Sequence, residues 1–433
     1  MSDTDRYCVH ETGAQAVGSD TDGSGGIRRT LKDKLMSVID YSRDQSDEEI
    51  IEIIDEMLIK EGRSGNIPLP EREELRRSLF YSVRKLDILQ DLVDDPKITE
   101  IMINGPDSIF IERAGRLSRY PSHFESREKL EDVIQLIVSS CNRVVNEASP
   151  IVDARLENGS RVNVVMRPVA LNGPILTIRR FPDKPIEMKD LVSYGSITEE
   201  LSEWLGTLVK AKYNIFISGG TGSGKTTFLN ALSAYIPSEE RIVTIEDSAE
   251  LQILGIDNLV RMETRNANVE GCREISIRDL IRSSLRMRPD RIIVGEVRGP
   301  EAIDMMQCLN TGHDGSMSTG HANSAADMLS RLETMILMGM DLPLAAIRQQ
   351  IASGIDVIVH LGRMRDKSRR VLEIDEVDRY ENGSIILNQL VRFKENGADP
   401  DGKITGEFVK KGELIHREKI EAAGLVCESW GTR

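Results

Sequence analysis

The feature that most constrains the fold is a glycine-rich loop between an apolar segment and a helical one. The pattern G-x-x-x-x-G-K-[ST] runs from Gly219 to Thr226 and directly follows the apolar sequence IFIS at 215–218. Glycines let the backbone turn so that successive N–H groups point inward, and with the N-terminus of the next helix they form a cradle for an anion. The pattern therefore predicts a strand, a phosphate-binding loop and a helix, as a parallel α/β sheet requires.

The side chains of this loop predict a nucleoside triphosphate and a divalent cation as ligands. Lys225 can reach the β- and γ-phosphates, and the Thr226 hydroxyl can ligate Mg²⁺. ATP and Mg²⁺ are accordingly the expected cofactors. The nucleotide-binding residues predicted in the loop are Gly219, Gly220, Thr221, Gly222, Ser223, Gly224, Lys225, Thr226 and Thr227.

Hydrolysis also requires carboxylates near the metal and the attacking water, and two glutamates end apolar segments. Glu246 ends RIVTIE, and Glu296 ends RIIVGE after Gly295, where an aspartate often stands. The carboxyl ends of parallel strands line the ligand crevice of an open sheet. We expect Glu296 to hold Mg²⁺ through water and Glu246 to orient or deprotonate the attacking water. The sequence leaves open which of the two activates water.

Two of the six histidines, His313 and His321, flank the segment GSMST. A histidine beside the γ-phosphate could hydrogen-bond to it and report its presence. The surrounding Gly, Ser, Thr and Asn residues predict a loop near the site. We therefore predict a functional role for His321 and leave His313 open.

Changes in composition and in apolar spacing along the chain predict five segments. Residues 1–28, rich in Gly, Ser and Asp, are expected to form a disordered leader. Residues 29–90 have helical apolar spacing, and residues 91–182 mix strands and helices as in a small α+β domain. Residues 183–195 are predicted as a linker. Residues 196–433 alternate strand and helix and end in a strand-rich tail.

Charge and hydropathy argue against several functional classes. Lys plus Arg number 56 and Asp plus Glu number 71, so bulk charge does not favour nucleic acid as a partner. No apolar run approaches the roughly eighteen residues of a membrane helix, and the acidic N-terminus is unlike a signal peptide. The five cysteines form no C-x-x-C pair, so no zinc ribbon or disulfide framework is expected. These features predict a cytoplasmic protein that reaches a membrane only through a surface or partner.

Several stretches, taken together and in order, resemble the secretion-system ATPases of the type II/type IV superfamily. The similarity extends over roughly residues 75 to 425. It is closest to the tight-adherence (CpaF/TadA-like) pilus branch, and no four-cysteine zinc module of the type II members is present. The stretches are DDPKITEIMINGPDSIFIER, SPIVDARLENGSRVNVV, GGTGSGKTT, RIVTIEDSAEL, ETRNANVEG, RPDRIIVGEVRG and TGHDGSMSTGHANS.

This resemblance implies a RecA-like P-loop ATPase domain with a smaller α+β N-terminal domain. It also implies a homo-hexamer that holds ATP between the two domains of each subunit. Such a ring powers pilus assembly or type II-like protein secretion at the cytoplasmic face of the membrane, through a polytopic inner-membrane platform protein. In the family, arginines of the N-terminal domain reach the phosphates, where a guanidinium fork stabilises γ-phosphate charge. The matching positions are Arg155, Arg161, Arg179 and Arg180, of which Arg161 and Arg179 are expected to be catalytic.

Three other functions remain as alternatives. The same chemistry could drive a conjugative type IV secretion machine. A nucleic-acid translocase is opposed by the net charge of −15 and by an aromatic content of only 4%, since base stacking needs aromatic side chains. A scaffold that binds ATP without hydrolysing it is opposed by the presence of Lys225, Thr226, Glu246 and Glu296.

Overall fold

The computed structural model divides the chain into two compact units, Met1–Phe181 and Pro182–Arg433. The structure describes residues 22–39, 45–62, 68–113, 115–141, 143–156, 158–181, 184–265 and 273–426.

The first unit begins with three helices that share a small apolar core. Leucine and isoleucine residues spaced three or four apart place one apolar stripe on each helix, and the stripes pack together. Of the predicted leader, residues 1–21 lie outside the described residues, whereas 22–28 already belong to the first helix. Helix formation is cooperative, so packing of Leu31 and Leu35 favours the turns before them as well. The helices are α1 (Asp22–Val38), α2 (Asp47–Gly62) and α3 (Leu69–Arg84).

The rest of the first unit is a six-stranded antiparallel sheet, in the order β3-β2-β1-β6-β5-β4, packed with two helices. Alternate strand residues such as Ile101, Ile103 and Ile178 are buried and form one core with Ile134 and Val138 of the longer helix. Its elements are α4 (Leu89–Asp94), β1 (Ile98–Asn104), β2 (Ile109–Arg113), β3 (Arg116–Arg119), α5 (Arg127–Ser140), β4 (Ile151–Arg155), β5 (Arg161–Val165) and β6 (Ile175–Arg179).

The second unit is built on a nine-stranded sheet in the order β15-β14-β13-β12-β7-β11-β10-β8-β9. Six neighbouring strands from β12 to β9 are parallel and the other three are antiparallel, with helices covering both faces. The strands are β7 (Ile215–Gly219), β8 (Ile242–Glu246), β9 (Leu259–Glu263), β10 (Arg291–Val294), β11 (Met317–His321), β12 (Val357–Arg363), β13 (Arg369–Glu381), β14 (Ser384–Ala398) and β15 (Ile404–Lys410). The helices are α6 (Met188–Ser193), α7 (Glu199–Lys210), α8 (Lys225–Ser233), α9 (Ile277–Ser284), α10 (Ala302–Leu309), α11 (Ala325–Gly339), α12 (Leu344–Gly354) and α13 (Glu418–Ala422).

The predicted fold class, an α/β RecA-like domain with a smaller α+β N-terminal domain, is confirmed. Within the described ranges, no helix has both the length and the apolar character of a membrane span.

The parallel strands bring distant parts of the sequence to one edge of the sheet. Strand β7 lies between β12 and β11, and its last residue, Gly219, pairs with both Leu361 and His321. Strands β8 and β10 follow in the same direction, so their carboxyl ends meet at this edge too. The sheet thereby places the loop after β7 beside the residues that end β8, β10, β11 and β12.

One segment expected to be a linker contains ordered helical structure. Residues 183–195 include α6, which begins with a reciprocal capping box between Glu187 and Asp190. Met188 and Leu191 are buried in the same core as Leu201 of α7. Apolar residues three apart and an N-terminal cap were sufficient to form a short helix there, and the neighbouring prolines obscured that pattern.

A buried carboxyl in β13 predicts a pH dependence of stability. Asp375 is 4% exposed, and its Oδ2 atom has no hydrogen-bond partner among the described residues. Burial, reinforced by the nearby charge of Glu373, raises the pKa of Asp375 to about 7. The folded chain therefore keeps this proton between about pH 4 and 7, where the unfolded chain has lost it. Because the folded state binds more protons in that window, rising pH lowers stability.

Asp375→Asn should remove this penalty, since an amide carries no charge to bury. We expect the variant to be more stable than the wild type at pH 8, by an amount of order 4 kcal/mol, and no more stable at pH 4. Denaturant unfolding at both pH values measures the difference. Asp401→Asn, at an exposed turn position, is the control and should change neither value. An equal effect of Asp375→Asn at both pH values would contradict the assignment.

Candidate nucleotide-binding site

The loop between β7 and α8 has the backbone geometry of an anion cradle. Gly222 and Gly224 adopt φ values of 70° and 92°, in a region that residues with a Cβ rarely occupy. Gly224 is also the N-cap of α8 and brings no capping side chain, so the helix begins with its N–H groups directed toward the loop. The turn itself therefore favours glycine at positions 222 and 224.

Lys225 lies at the centre of this loop. It is 7% exposed, and its Nζ atom donates to the carbonyl oxygens of Gly219 and Gly220, at 3.1 Å each. The loop thus folds around the ammonium group. Thr226 and Thr227 are half-buried on the first turn of α8.

His321 joins Lys225 to Glu296. Its Nδ1 atom is 3.3 Å from Lys225 Nζ, and its Nε2 atom is 3.1 Å from Glu296 Oε1. Burial, and then the charge of Lys225, lower the pKa of His321, so the imidazole is neutral at neutral pH. The ring can therefore couple the phosphate loop to the carboxylate after β10.

Glu296 is also held by a residue that the sequence analysis did not single out. Arg298 Nη2 donates to Glu296 Oε2 at 2.8 Å, and Arg298 Nη1 is 3.8 Å from Asp247. Among the described residues, Glu296 Oε1 accepts no hydrogen bond of good geometry although it is buried. A buried carboxylate oxygen of this kind keeps the capacity to accept a hydrogen bond. The position of Arg298 two residues after Glu296 was the available sequence signal.

Glu246 explains why glycine stands at position 295. The Glu246 side chain crosses this position, and a Cβ on Gly295 would lie 2.9 Å from Glu246 Cγ. Its Oε1 atom accepts the backbone N–H groups of Glu250 and Leu251 at 2.7 and 2.8 Å. Burial raises the pKa of Glu246 to about 7, and its Oε2 atom has no partner among the described residues. A carboxyl with this pKa can take up or release a proton near neutral pH.

The two histidines of the GSMST segment lie at opposite ends of β11. His321 is the last residue of the strand, at the edge that carries the loop. His313 precedes the strand, and its carbonyl accepts the Ser316 hydroxyl at the other end. Five strand residues separate the two ends by roughly 15 Å, so His313 is not beside the phosphate loop.

A cleft of about 540 Å³ opens beside Gly220, Thr221 and His321. Its other wall is α11, which contributes Asp327 and Arg331. These two residues were not predicted as part of the site, because charged residues are common on any solvent-exposed helix face.

The candidate arginines belong to the first unit, where three of them form one row. Antiparallel register pairs Arg155 with Arg161 and Arg161 with Arg179, on β4, β5 and β6. Arg179 is in turn paired with Glu100 on β1, and Arg155 lies over the Phe181 ring. Arg180 lies next to this row in sequence, and its guanidinium donates to the carbonyl of Asp95, as Arg155 donates to the carbonyl of Gly159. The approach of these arginines to the phosphate loop of the second unit stays a prediction.

Comparison with known proteins gives matches over most of the chain. The family model described as "Type II/IV secretion system protein" matches residues 83–399. A putative conjugal transfer protein of Mycobacterium tuberculosis is 35% identical over 66% of this chain and 83% of its own. The probable conjugal transfer protein TrbB of Sinorhizobium fredii is 35% identical over 74% of this chain and 98% of its own. The type IV secretion system protein VirB11 of Brucella suis is 30% identical over 68% and 88%.

Proposed function

This chain belongs to the type II/IV secretion system protein family, and from that premise we propose that it hydrolyses ATP to do mechanical work. The observation that carries the proposal is the continuous contact from Lys225 in the phosphate loop, through His321, to Glu296, within 3.3 Å at each step. A loop that only bound nucleotide would not need a carboxylate coupled to it. The reaction is the conversion of ATP and water to ADP and phosphate.

The residues divide the chemistry between them. Backbone N–H groups of the loop bind phosphate oxygens, and Lys225 neutralises charge that develops on the terminal phosphate. Thr226 and Glu296 would hold Mg²⁺, which when bound supplies further positive charge at the phosphates. Glu246, whose pKa is about 7, can accept a proton from the attacking water. Neutral His321 contacts both Lys225 in the loop and Glu296. Loss of the γ-phosphate would therefore alter the surroundings of both residues.

Two machines fit this motor, and each has its own support. Resemblance of the N-terminal stretches to the tight-adherence branch favours pilus assembly or type II-like secretion. Similarity to conjugal transfer proteins and to VirB11 supports a conjugative type IV machine equally. In either case we propose a homo-hexamer at the cytoplasmic face of the membrane, where it works on a polytopic inner-membrane protein. The row Arg155–Arg161–Arg179 would reach the phosphates when the ring closes.

Purified protein should hydrolyse ATP in the presence of Mg²⁺ and, with nucleotide, assemble to six times the subunit mass of 48.4 kDa. Phosphate release and light scattering measure the two properties. A monomer that binds ATP without turnover, even with its membrane partner present, would contradict the motor. Deleting the gene and measuring both surface pili and DNA transfer separates the two machines, since only the relevant activity should be lost.

A further inference from the structure

A basic hairpin stands against the phosphate loop on the side away from the catalytic carboxylates. Strand β12 ends at Arg363 and β13 begins at Arg369, and register pairs these two arginines directly. Arg369 Nε donates to the carbonyl of Gly222 at 2.9 Å. Arg363 Nη1 lies 3.8 Å from the point where a Cβ on Gly222 would be. Arg369 therefore contacts the middle of the loop, and Arg363 lies close to the same residue.

The turn between these strands is held in place by its own contacts. Met364 N donates to the Ser368 carbonyl at 2.8 Å, and Asp366 accepts both Ser368 N, at 2.9 Å, and Ile404 N of β15, at 2.7 Å. Because the Asp366 carboxylate bonds to both this turn and β15, it restricts the motion of the turn. The arginines at its base are thus presented on a rigid support, which lowers the entropy lost when a ligand binds.

Arg363 and Arg369 differ from the neighbouring Arg365 and Arg370 in how their charges are offset. Arg365 pairs with Glu395, and Arg370 donates to two carbonyls and covers the Phe393 ring. Over the described part of the chain, no carboxylate lies within ion-pair distance of Arg363 or Arg369. Two exposed guanidinium groups directly opposite each other repel, and a bound anion or an electron-rich ring relieves that repulsion.

The order of the strands tells which part of a nucleotide lies near these arginines. Strand β7 has β11 on one side, with His321, and then β10 and β8, with Glu296 and Glu246 beyond them. On its other side is β12, which ends at Arg363. The γ-phosphate must face the carboxylates and the water they hold. The α-phosphate and nucleoside of the same molecule then extend toward the β12 side.

Resting on the ATPase proposed above, we propose that Arg363 binds the nucleoside end of the nucleotide, with its planar guanidinium against the face of the purine ring. Arg369 acts as a positioning residue that holds the hairpin on the loop. A guanidinium suits this contact because it is planar and weakly hydrated, and it stacks on aromatic faces. The contact is the same for ATP and ADP, so it strengthens binding without changing the chemical step.

The test is titration calorimetry of the full chain with ADP, UDP and pyrophosphate. Arg363→Ala should raise the Kd for ADP about tenfold and leave pyrophosphate unchanged, because only the nucleoside contact is lost. The preference for ADP over UDP should shrink, since a purine offers the larger ring. In turnover assays KM should rise while kcat stays within about twofold. Arg363→Lys, which keeps the charge but not the plane, should lose most of the same affinity.

Lys367→Ala, at the exposed tip of the same turn, is the matched control and should bind all three ligands as the wild type does. Parallel weakening of ADP and pyrophosphate by Arg363→Ala would mean a phosphate contact and would overturn the stacking assignment. Unchanged ADP binding would overturn the whole inference. Failure of the wild type to bind ADP would instead overturn the proposed function, so the two failures are distinguishable.

Discussion

Lys225→Ala is expected to reduce ATP turnover by roughly 10²–10³-fold, the loss typical of removing one group that stabilises charge in the transition state. The wild-type ammonium is buried at the centre of the loop and lies 3.3 Å from His321. Alanine leaves the terminal phosphates without that charge and also breaks the chain of contacts to Glu296. Steady-state phosphate release at saturating ATP measures the effect, and ATP affinity should fall as well.

The matched control is Lys210→Ala, which makes the same change on the exposed last turn of α7. Both variants should keep the far-ultraviolet dichroism of the wild type, because the Lys225 side chain makes its contacts within the loop. If Lys225→Ala retained wild-type turnover, the measured activity would belong to another site or to a contaminant. In a deletion strain, the variant should also fail to restore the pilus or transfer phenotype.

Glu296→Gln is expected to keep ATP binding and to lower turnover by roughly 10²–10⁴-fold, the range for loss of a carboxylate that acts on a proton or on a metal-bound water. Glutamine has the same shape, so the contacts with Arg298 and His321 are perturbed little, whereas the negative charge is gone. Equilibrium binding of ATP and single-turnover hydrolysis separate the two effects. The ring should consequently accumulate in its ATP-bound state.

The variant Glu246→Gln, measured in parallel, tests which of the two glutamates activates water. The Glu246 carboxylate accepts two backbone N–H groups and has its pKa raised to about 7 by burial. If it is the base, wild-type kcat should rise with pH through about 7, and Glu246→Gln should abolish both turnover and that rise. Glu239→Gln, on an exposed loop, is the control. Full turnover in Glu296→Gln would remove Glu296 from the active site.

The sequence was most informative where local chemistry dictates the backbone. The loop of residues 219–227 requires glycines at fixed positions, a preceding apolar strand and a following helix, and the structure has all three. The strand-end position of Glu246 could be predicted for the same reason, because parallel strands end at one edge of the sheet. His321 was expected in a loop after GSMST, whereas it is the last residue of β11. The sequence of residues 183–195 was less informative. Its prolines indicated a linker, whereas the structure forms the short helix α6 there.

The chain itself thus determined that a phosphate-binding loop and strand-end carboxylates would be present, because those features depend on residues adjacent in sequence. Only the tertiary structure decided how they meet. The crossing of Glu246 over Gly295, the contact of His321 with both Lys225 and Glu296, and the contact of Arg369 with Gly222 join residues from 25 to 147 positions apart. Such contacts follow from strand order and register, which are set by packing of the whole core and are encoded in no single segment.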